Sequence, residues 1–530
     1  MSESLSRQPP ITAQDDADLE SPLPPIDGVR RAAWIALVAA AVAVIPYLVP
    51  GLEPYRAWVP GEPVPLAHIV EDQPSLRSGI AALTRRPAFH DDDTLMRRAP
   101  LPSASDDRPR QARRRDEDPG EPERPPLPRI PAEEFAGLSR GIDDPTGAMN
   151  RFYARLGRVA RREPVLARIS VYGTSINGAD RATSVVRARM QAIFGDGGKG
   201  WVPVAPGWRY QRHQDVRWTS DHWDTFVVNR GDGPLDRYGF GGVVAINRHR
   251  RAISTFETTD EAPGDAVSTF RVFHQAWPEG GELSLQLDDE PPRIVSTRAD
   301  EVEDRVETIR ARDGAHRLTL RAHVPDGHDD EAGEAQQDLR LYGVAMERAG
   351  PGVVVDGLAL IGAFTRVLRL FDDDHLRAQV AQREPDLVVF WMGANDAVSQ
   401  SVPYLHDQYV GYYRQIVRRF RAGRPGMSCL VMSILDKGER VRGHIRTRDR
   451  VPELVDAQRE VAVAEGCAFF DAYRALGGSG TMRRWYQASP RLVTADLGHL
   501  TDAGSRVTGT VLYRALIKGY DDWIADGEPN

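Results

Sequence analysis

Strand-like and helical hydrophobic patterns alternate along the last third of the chain, and this alternation restricts the fold more than any other feature. Apolar, β-branched runs of strand length occur at residues 353–358, 386–392, 428–435 and 467–473. Amphipathic patterns with helical spacing occur at residues 376–383, 404–421, 453–465 and 502–524. Such alternation predicts an α/β fold, in which helices cover both faces of a parallel sheet. A further apolar run at residues 341–348 is predicted to be the strand with which this part begins.

A strand-to-helix unit of the same kind lies much earlier, in the sequence Ala-Arg-Ile-Ser-Val-Tyr-Gly-Thr-Ser of residues 167–175. The strand pattern ends at Gly173, Ser175 follows in the turn, and a helical pattern begins near Gly178. This arrangement exposes a hydroxyl group at the carboxyl end of a strand, which is where ligands bind in open α/β sheets. The same residues also fit an ordinary turn in which Ser or Thr caps the helix.

Between these two parts the periodicity changes. Short runs rich in β-branched and aromatic residues, separated by Gly, Pro and Asp, occur at residues 223–228, 243–247, 270–275, 282–287 and 316–322. They predict an all-β sandwich. Residues 205–340 are therefore interpreted as an insertion between core segments at residues 144–204 and 341–530. The insertion carries aromatic side chains that either pack in its core or stack on sugars, namely Trp208, Trp218 and Trp223.

The amino-terminal part of the chain has the pattern of a membrane anchor between two disordered segments. Residues 1–31 form a polar tail, residues 32–52 are almost entirely apolar, and residues 53–143 are rich in Pro, Arg and Asp. About 20 apolar residues are enough to span a bilayer. Arg30 and Arg31 predict a cytoplasmic amino terminus. The predicted location is thus the inner membrane, with the folded part on the periplasmic side; a cleaved signal peptide and a buried helix are the alternatives.

Composition excludes some classes of function. The chain of 530 residues has a net charge of −8, which gives no reason to expect a nucleic-acid partner. Two cysteines cannot make a disulfide framework. Cys429 and Cys467 lie in apolar runs, which favours buried thiols, with a single bridge between neighbouring strands as the alternative. The sequence has no His/Cys cluster with metal-ligand spacing, so we expect neither a metal nor another cofactor.

Three segments are predicted to meet at the carboxyl edge of the sheet. The first holds Ser175, the second is Gly-Ala-Asn395-Asp396 after the most apolar strand, and the third is Asp496-Leu-Gly-His499 before the last helix. A serine nucleophile needs a base within hydrogen-bond reach and a group that orients the base. His499 and Asp496 are suited to these two roles. The amide of Asn395 and the backbone N–H of Ser175 are candidate donors to an oxyanion.

The order and spacing of these residues resemble the SGNH, or GDSL-like, hydrolases over about residues 165–524. The resemblance implies a three-layer flavodoxin-like core, Ser175, Asp496 and His499 as catalytic residues, and Ser175, Asn395 and a glycine as oxyanion donors. Gly362 is the best match for that glycine, and Gly357 is the alternative. One departure is Thr174, where the family usually has Asp.

The arrangement of the domains makes the resemblance more specific, because it is found in one group within the family. An SGNH core that is split between its Ser and Gly segments by a jelly-roll insertion resembling a carbohydrate-binding module is similar to bacterial peptidoglycan O-acetylesterases. The run Gly-Val-Ala-Met-Glu-Arg-Ala-Gly-Pro-Gly-Val-Val at residues 343–354 also resembles that group. The resemblance implies a polysaccharide as the partner of the enzyme.

The sequence thus predicts a membrane-anchored serine esterase that removes O-acetyl or other short acyl groups from an envelope polysaccharide such as peptidoglycan. Two alternatives remain open. The same acyl-enzyme can pass its acyl group to another sugar, as an acyltransferase does. The chain can also be a non-catalytic envelope protein that binds glycan through the β insertion.

Overall fold

The computed structural model describes residues 127–247, 251–323, 338–399 and 405–527, all of which belong to one unit that spans residues 107–530. The predicted tail at residues 1–31 and the predicted anchor at residues 32–52 lie outside the described residues, as does most of the linker. Within the described ranges, the helices are too short or too polar to cross a membrane.

The described residues form the following strands: β1 Leu166–Gly173, β2 Gly200–Pro203, β3 Arg217–Asp221, β4 Trp223–Val227, β5 Val243–Asn247, β6 Ile253–Glu257, β7 Val267–Ala276, β8 Glu282–Leu287, β9 Arg293–Ser296, β10 Glu303–Gly314, β11 Arg317–Ala322, β12 Arg340–Glu347, β13 Gly352–Ala359, β14 Leu387–Trp391, β15 Ser428–Met432, β16 Gly438–Val441, β17 His444–Thr447 and β18 Ala468–Phe470. They form the following helices: α1 Asn150–Ala160, α2 Arg181–Phe194, α3 Asp373–Arg383, α4 Ala394–Val398, α5 His406–Gly423, α6 Arg450–Ala464, α7 Ala472–Ala475, α8 Thr481–Gln487 and α9 Asp502–Ala525.

A parallel sheet with the strand order β13-β1-β14-β15-β18 confirms the predicted α/β core. In chain order the strands follow the 2-1-3-4-5 pattern of flavodoxin-like folds. Strand β1 lies in the interior of the sheet, with Ser170 opposite Asp356 of β13 and Val171 opposite Val389 of β14. The carboxyl ends of β1, β13 and β14 therefore lie at one edge of the sheet.

Helices pack on both faces of this sheet, as the alternation in the sequence predicts. On one face, α1, α2 and α9 bury a cluster that includes Phe152, Met190 and Leu516. On the other face, α3, α5 and α6 bury a cluster that includes Val380 and Ile416. Because the strands are covered on both sides, they read as continuous apolar runs in the sequence.

The insertion is a sandwich of two antiparallel sheets. One sheet has the order β10-β7-β12-β5-β4, with β2 paired to β12, and the other has the order β3-β6-β11-β8-β9. Their inner faces share an apolar core, to which β7 contributes Phe270 and Val272 and β8 contributes Leu283 and Leu285. The aromatic side chains at positions 208, 218 and 223 are partly buried against hydrophobic cores. Of the two alternatives for these residues, the structure therefore favours packing over stacking on sugars.

The sheet pairing corrects one strand assignment. The apolar run at residues 341–348 was predicted to belong to the α/β core, but β12 pairs antiparallel with β2 and β7 of the sandwich. Its side chains alternate between two cores: Leu341 and Val344 lie in the sandwich, whereas Tyr342 and Ala345 face the cluster beside the parallel sheet. A strand buried on both faces has the same apolar pattern as a parallel strand, so periodicity alone does not distinguish them.

The two ends of the sandwich lie next to each other. The backbone N–H of Arg348, just after β12, donates to the carbonyl oxygen of Gly197, just before β2, at 2.9 Å. The chain therefore leaves the α/β core and returns to it at one place. Measured by strand pairing, the sandwich begins with β2 and ends with β12, so it extends a few residues beyond the predicted insertion at both ends.

The two cysteines form a disulfide bond, which corrects the interpretation that they are buried thiols. The bond joins Cys429 of β15 to Cys467, just before β18, with 4.8 Å between their Cα atoms. The cause is the register of these neighbouring parallel strands, which pairs Leu430 with Ala468 and so brings the preceding residues together. The bridge fastens the edge strand of the sheet to its neighbour.

Candidate active site

Ser175 lies in a short 3₁₀ turn, Ser175–Asn177, directly after β1. Gly173 allows the chain to turn this tightly, because a Cβ atom there would lie 2.4 Å from Nδ2 of Asn177. The following helix, α2, has Asp180 at its N-cap position. Ser175 is thus five residues away from that position, which rules out the interpretation of its hydroxyl as the cap of this helix.

A buried ionic cluster holds the segment after the serine. Asp180 has a φ angle of 56°, in the left-handed region, and its Oδ2 atom accepts hydrogen bonds from Arg187 at 2.8 Å and Lys199 at 2.9 Å. Burial alone would raise the pKa of Asp180, but the charges of Arg187 and Lys199 outweigh it and hold the pKa well below its usual range. The ionised carboxylate therefore fixes the backbone between Ser175 and α2.

The two candidate glycines differ in their surroundings. Gly357 lies inside β13, and a Cβ atom there would lie 2.6 Å from Oδ1 of Asp180 and 2.6 Å from Oγ1 of Thr183. Its role is thus to allow close packing. Gly362 lies in the turn after β13 with a φ angle of 78°, and a Cβ atom there would meet nothing within 4 Å. The backbone at Gly362 is therefore open to a ligand.

His499 is presented by a tightly closed loop before α9. The backbone N–H of Thr494 donates to the carbonyl oxygen of His499 at 2.9 Å. Oδ1 of Asp496 accepts from the backbone N–H groups of Gly498 at 2.9 Å and His499 at 3.0 Å. This local network holds the carboxylate and the imidazole of the Asp-x-x-His segment in a fixed relation.

The structure brings Ser175, His499 and Asp496 into one hydrogen-bonded line. Nε2 of His499 lies 2.9 Å from Oγ of Ser175, and Nδ1 of His499 lies 2.5 Å from Oδ2 of Asp496. The side chains of His499 and Asp496 are 55% and 53% exposed, so solvent reaches the line. Partial burial would raise the pKa of Asp496, but hydrogen bonds, first of all from the His499 ring, hold it well below its usual range.

Asn395 and Gly362 lie on turns that are bonded to each other. Nδ2 of Asn395, at the start of α4, donates to the carbonyl oxygen of Ala363 at 2.8 Å. The turn of Gly362 is in turn tied to the serine strand, because the N–H of Leu360 donates to the carbonyl oxygen of Gly173 at 2.8 Å. An amide nitrogen carries two hydrogens, so Asn395 keeps one for a ligand.

Sequence reasoning missed residues that stabilise these turns. Asp396, named only as part of its motif, is buried and accepts from the N–H of Thr365 at 2.9 Å and from Tyr412 at 3.1 Å. The Lys437 ammonium donates to the carbonyl oxygen of Gly498, and burial lowers its pKa to about 8. These roles depend on contacts between distant segments, and no local pattern marks them.

The sandwich also contacts the site. Nδ2 of Asn229, two residues after β4, donates to the carbonyl oxygen of Ile361 at 2.8 Å, beside Gly362. The backbone N–H of Arg212, in the loop between β2 and β3, donates to the carbonyl oxygen of Gly178 at 3.2 Å. Both turns that flank Ser175 are thus supported from the insertion. In the described ranges, His, Cys, Asp and Glu side chains form no cluster suited to a metal ion.

Comparison with known proteins agrees with this architecture. Residues 326–507, which include Asn395, Asp496 and His499, match the GDSL-like lipase/acylhydrolase family; Ser175 precedes the match because the sandwich separates it from the rest. A solved structure described as "Peptidoglycan O-acetylesterase in action, 5 min" superposes with a TM-score of 0.58 at 21% identity, over 73% of this chain and 99% of that one. This likeness shows a shared fold.

Two of the more distant solved structures are described as esterases that act on carbohydrates. A family two carbohydrate esterase from Cellvibrio japonicus is 10% identical over 58% of this chain and 98% of its own, with a TM-score of 0.23. An acetyl xylan esterase, AlAXEase, is 17% identical over 31% of this chain and 80% of its own, with a TM-score of 0.24. The chain matches none of the curated proteins.

Proposed function

Because the chain is an esterase of the SGNH type, we propose that it removes O-acetyl or other short acyl groups from a polysaccharide such as peptidoglycan. In this proposal Ser175 is the nucleophile, His499 the general base and Asp496 the residue that orients the base. The observation that carries the proposal is the line of hydrogen bonds from Ser175 through His499 to Asp496.

The first half of the reaction forms an acyl-enzyme. Oγ of Ser175 attacks the ester carbonyl carbon while Nε2 of His499 takes the hydroxyl proton. The ionised Asp496 accepts a hydrogen bond from Nδ1 and stabilises the imidazolium that results. When the tetrahedral intermediate collapses, the bond to the sugar oxygen breaks, and the proton on Nε2 passes to that oxygen to give a free sugar hydroxyl.

The negative charge on the carbonyl oxygen is stabilised by donors from three neighbouring segments. They are the backbone N–H of Ser175, the backbone N–H of Gly362 and the second N–H of the Asn395 amide. Support comes from the Asn395–Ala363 and Leu360–Gly173 hydrogen bonds, which tie the three segments together. Donors held in place before the reaction need no reorganisation when the charge develops.

The second half releases the acyl group. A water molecule gives a proton to Nε2 of His499 and attacks the acyl carbon, after which Ser175 leaves and regains the proton. More than half of the surface of both the His499 and Asp496 side chains is exposed, which gives water access to the acyl-enzyme.

We place the substrate among polysaccharides because the fold is shared, over nearly the whole of that chain, with a protein described as a peptidoglycan O-acetylesterase. The β sandwich beside the site supports the same class of substrate, since it supplies contacts to both turns that flank Ser175.

We further propose that residues 32–52 anchor the protein in the inner membrane, with the esterase on the periplasmic side. The apolar length of this segment supports an anchor. The disulfide between Cys429 and Cys467 supports an oxidising compartment. Protease treatment of spheroplasts is the test: the esterase is expected to be digested in intact spheroplasts, and full protection would contradict this location.

The function is tested by measuring acetate release from O-acetylated peptidoglycan by the full-length protein in detergent. Release that disappears in the Ser175→Ala variant supports the proposal. Acetate release that persists in that variant would contradict the proposal. Labelled acyl groups that reappear on a second glycan, instead of as free acetate, would identify a transferase, and binding of glycan without turnover by folded wild-type protein would favour the non-catalytic alternative.

A further inference from the structure

The loop between β2 and β3 carries the most exposed large apolar side chain in the described ranges. This side chain belongs to Tyr210, which is 74% exposed. The other exposed large hydrophobic residues in the described ranges are aliphatic. An aromatic ring left in water at this level is unusual, because burying it would be favourable. Its position therefore calls for an explanation other than packing.

The exposure follows from the geometry of a turn. The backbone N–H of Gln211 donates to the carbonyl oxygen of Trp208 at 2.9 Å, which closes a β-turn with Arg209 and Tyr210 at its central positions. The buried side chain of Gln211 accepts from the N–H of Gly207 at 2.9 Å, and Trp208 packs inward on the core. The inner residues thus hold the turn while the outer two face solvent.

The same loop is fastened to the segment that follows the nucleophile. In addition to the bond from Arg212 to Gly178, the backbone N–H of Gln214 donates to Oδ2 of Asp180 at 3.2 Å, and its side chain donates to the carbonyl oxygen of Ala179 at 3.1 Å. Arg187, bound to Asp180, also forms an ion pair with Asp215. The loop that carries the turn of Tyr210 is therefore bonded to residues 178–180, which directly follow the Ser175 turn.

We propose that Tyr210 is the platform on which the sugar that bears the acyl group stacks. The inference rests on the proposed function, because the loop that carries Tyr210 is bonded to the segment that directly follows the nucleophile. A pyranose ring has an apolar face of C–H groups, which matches an exposed aromatic ring. The guanidinium of Arg209 lies over one face of the Tyr210 ring, with its Cζ atom 5.8 Å from the ring centroid. The sugar would therefore stack on the opposite face, and the guanidinium would supply hydrogen-bond donors for sugar hydroxyls beside the ring.

A glycan suits this position because the loop of Tyr210 is bonded to the segment after the nucleophile and the exposed ring has polar neighbours in the loop. Apart from Trp208, which packs on the core, the adjacent residues of the loop are polar or glycine, namely Gly207, Arg209, Gln211 and Arg212. A single ring with polar neighbours suits an amphipathic sugar, whereas a protein partner needs a larger apolar surface.

The test compares two substrates, O-acetylated peptidoglycan and p-nitrophenyl acetate, with the full-length protein in detergent. Tyr210→Ala is expected to raise KM for peptidoglycan about tenfold, and to lower the ratio of kcat/KM for peptidoglycan to kcat/KM for the aryl ester. Tyr210→Phe and Tyr210→Trp keep a stacking face and are expected to restore the peptidoglycan KM. The matched control is Val463→Ala on α6, which removes a side chain of similar exposure, 69%, and is expected to leave the ratio unchanged.

Three results would contradict the assignment of Tyr210 as the residue on which the sugar stacks. They are an unchanged peptidoglycan KM in Tyr210→Ala, an equal loss on both substrates, and a Tyr210→Phe variant as impaired as Tyr210→Ala. The first removes any role in binding, the second indicates a general distortion of the Ser175 turn, and the third assigns the effect to the hydroxyl group. Failure of the proposed function is a separate result: wild-type protein would then release no acetate from peptidoglycan, or Ser175→Ala would still release it.

Discussion

Nε2 of His499 lies 2.9 Å from Oγ of Ser175, although 324 positions separate the two residues in the chain. The parallel sheet makes this possible, because β1 delivers the serine to the same edge at which the loop before α9 delivers the histidine. The loop is closed on itself by Asp496, so the imidazole meets the hydroxyl in a defined orientation.

The first prediction concerns this pair. Ser175→Ala removes the nucleophile and His499→Ala removes the base, so each is expected to lower kcat for p-nitrophenyl acetate by at least about 10³-fold. Residues that act as one unit give non-additive losses, and the double variant is expected to be no worse than either single variant. The melting temperature serves as the control, since these substitutions remove partly exposed atoms. A double variant that loses the product of the two single effects would contradict a shared role.

The second prediction concerns the oxyanion donors. Asn395→Ala is expected to lower kcat about 10²–10³-fold with a small change in KM, because the donor acts on charge that develops only in the transition state. Steady-state kinetics on the aryl ester separate the two constants. Asn229→Ala, which removes a bond to the carbonyl of Ile361 behind Gly362, is the comparison and is expected to have a smaller effect. A rise in KM with unchanged kcat for Asn395→Ala would argue against the assignment.

The third prediction concerns the pH dependence of stability and the buried ion pairs of Glu347, the last residue of β12. Glu347 accepts hydrogen bonds from Arg168 at 2.8 Å and Arg383 at 2.6 Å. Burial would raise its pKa, but the charges of Arg383 and Arg168 prevail and hold the pKa well below its ordinary value of 4.5. A carboxylate with a lowered folded-state pKa contributes stability above its unfolded pKa and loses that contribution as the pH falls towards the folded one.

Glu347→Gln is therefore expected to cost about 3–5 kcal/mol of unfolding free energy at pH 7. The difference from wild type should shrink as the pH falls below 4.5, where the unfolded wild-type carboxyl group takes up its proton. Urea unfolding at several pH values measures this. The exposed pair of Arg158 and Glu163 provides the control, and Glu163→Gln is expected to cost at most about 1 kcal/mol. A Glu347→Gln difference that does not vary with pH would contradict the assignment.

The fourth prediction concerns the disulfide. Replacing Cys429 and Cys467 together by Ala removes a constraint on a loop whose ends are 38 positions apart. The free energy of unfolding is expected to fall by about 2–4 kcal/mol, mainly because the unfolded chain gains freedom. Dithiothreitol should lower the melting temperature of the wild-type protein and leave that of the double variant unchanged. Equal sensitivity of both proteins to the reductant would show that the bond does not form.

The fifth prediction concerns Thr174, the position at which the sequence departs from the family pattern. Its side chain is buried, and Oγ1 has no hydrogen-bond partner among the described residues. Thr174→Val keeps the shape and removes an unsatisfied hydroxyl, so the unfolding free energy should rise by about 1 kcal/mol. Thr183→Val is the matched comparison, because the Thr183 hydroxyl binds Asp180; there a loss of about 1–2 kcal/mol is expected. A loss of stability in Thr174→Val would indicate that the hydroxyl has a partner.

The sequence was informative where local pattern and fold agree. Continuous apolar runs predict strands β13, β14 and β15, because these strands are buried on both faces. Ser175, Asn395, Asp496 and His499 stand out in the sequence because each follows a strand or precedes a helix, and the structure brings Ser175, His499 and Asp496 within hydrogen-bond reach of one another. For the same reason β12 was assigned to the wrong sheet: its two faces are buried in two different cores.

Other features depend on contacts that no local pattern carries. Lys437 and Asp396 support the turns of the site through contacts with distant segments, and each is an ordinary residue in its own stretch of sequence. The disulfide depends on strand order, which places Cys429 beside Cys467 only once β15 and β18 are known to be neighbours. The exposure of Tyr210 depends on the turn that Trp208 and Gln211 close.

The position of β1 in the interior of the sheet has a consequence for biosynthesis. Both of its neighbours, β13 and β14, are translated after the whole sandwich. The apolar strand β1 therefore has no pairing partner until the sandwich has been synthesised. If the sandwich folds first, the contact between Gly197 and Arg348 converts a long connection into a short one, and the loop-closure entropy of pairing β1 with β13 becomes small. The insertion would then align the two parts of the α/β core once the second part becomes available for pairing.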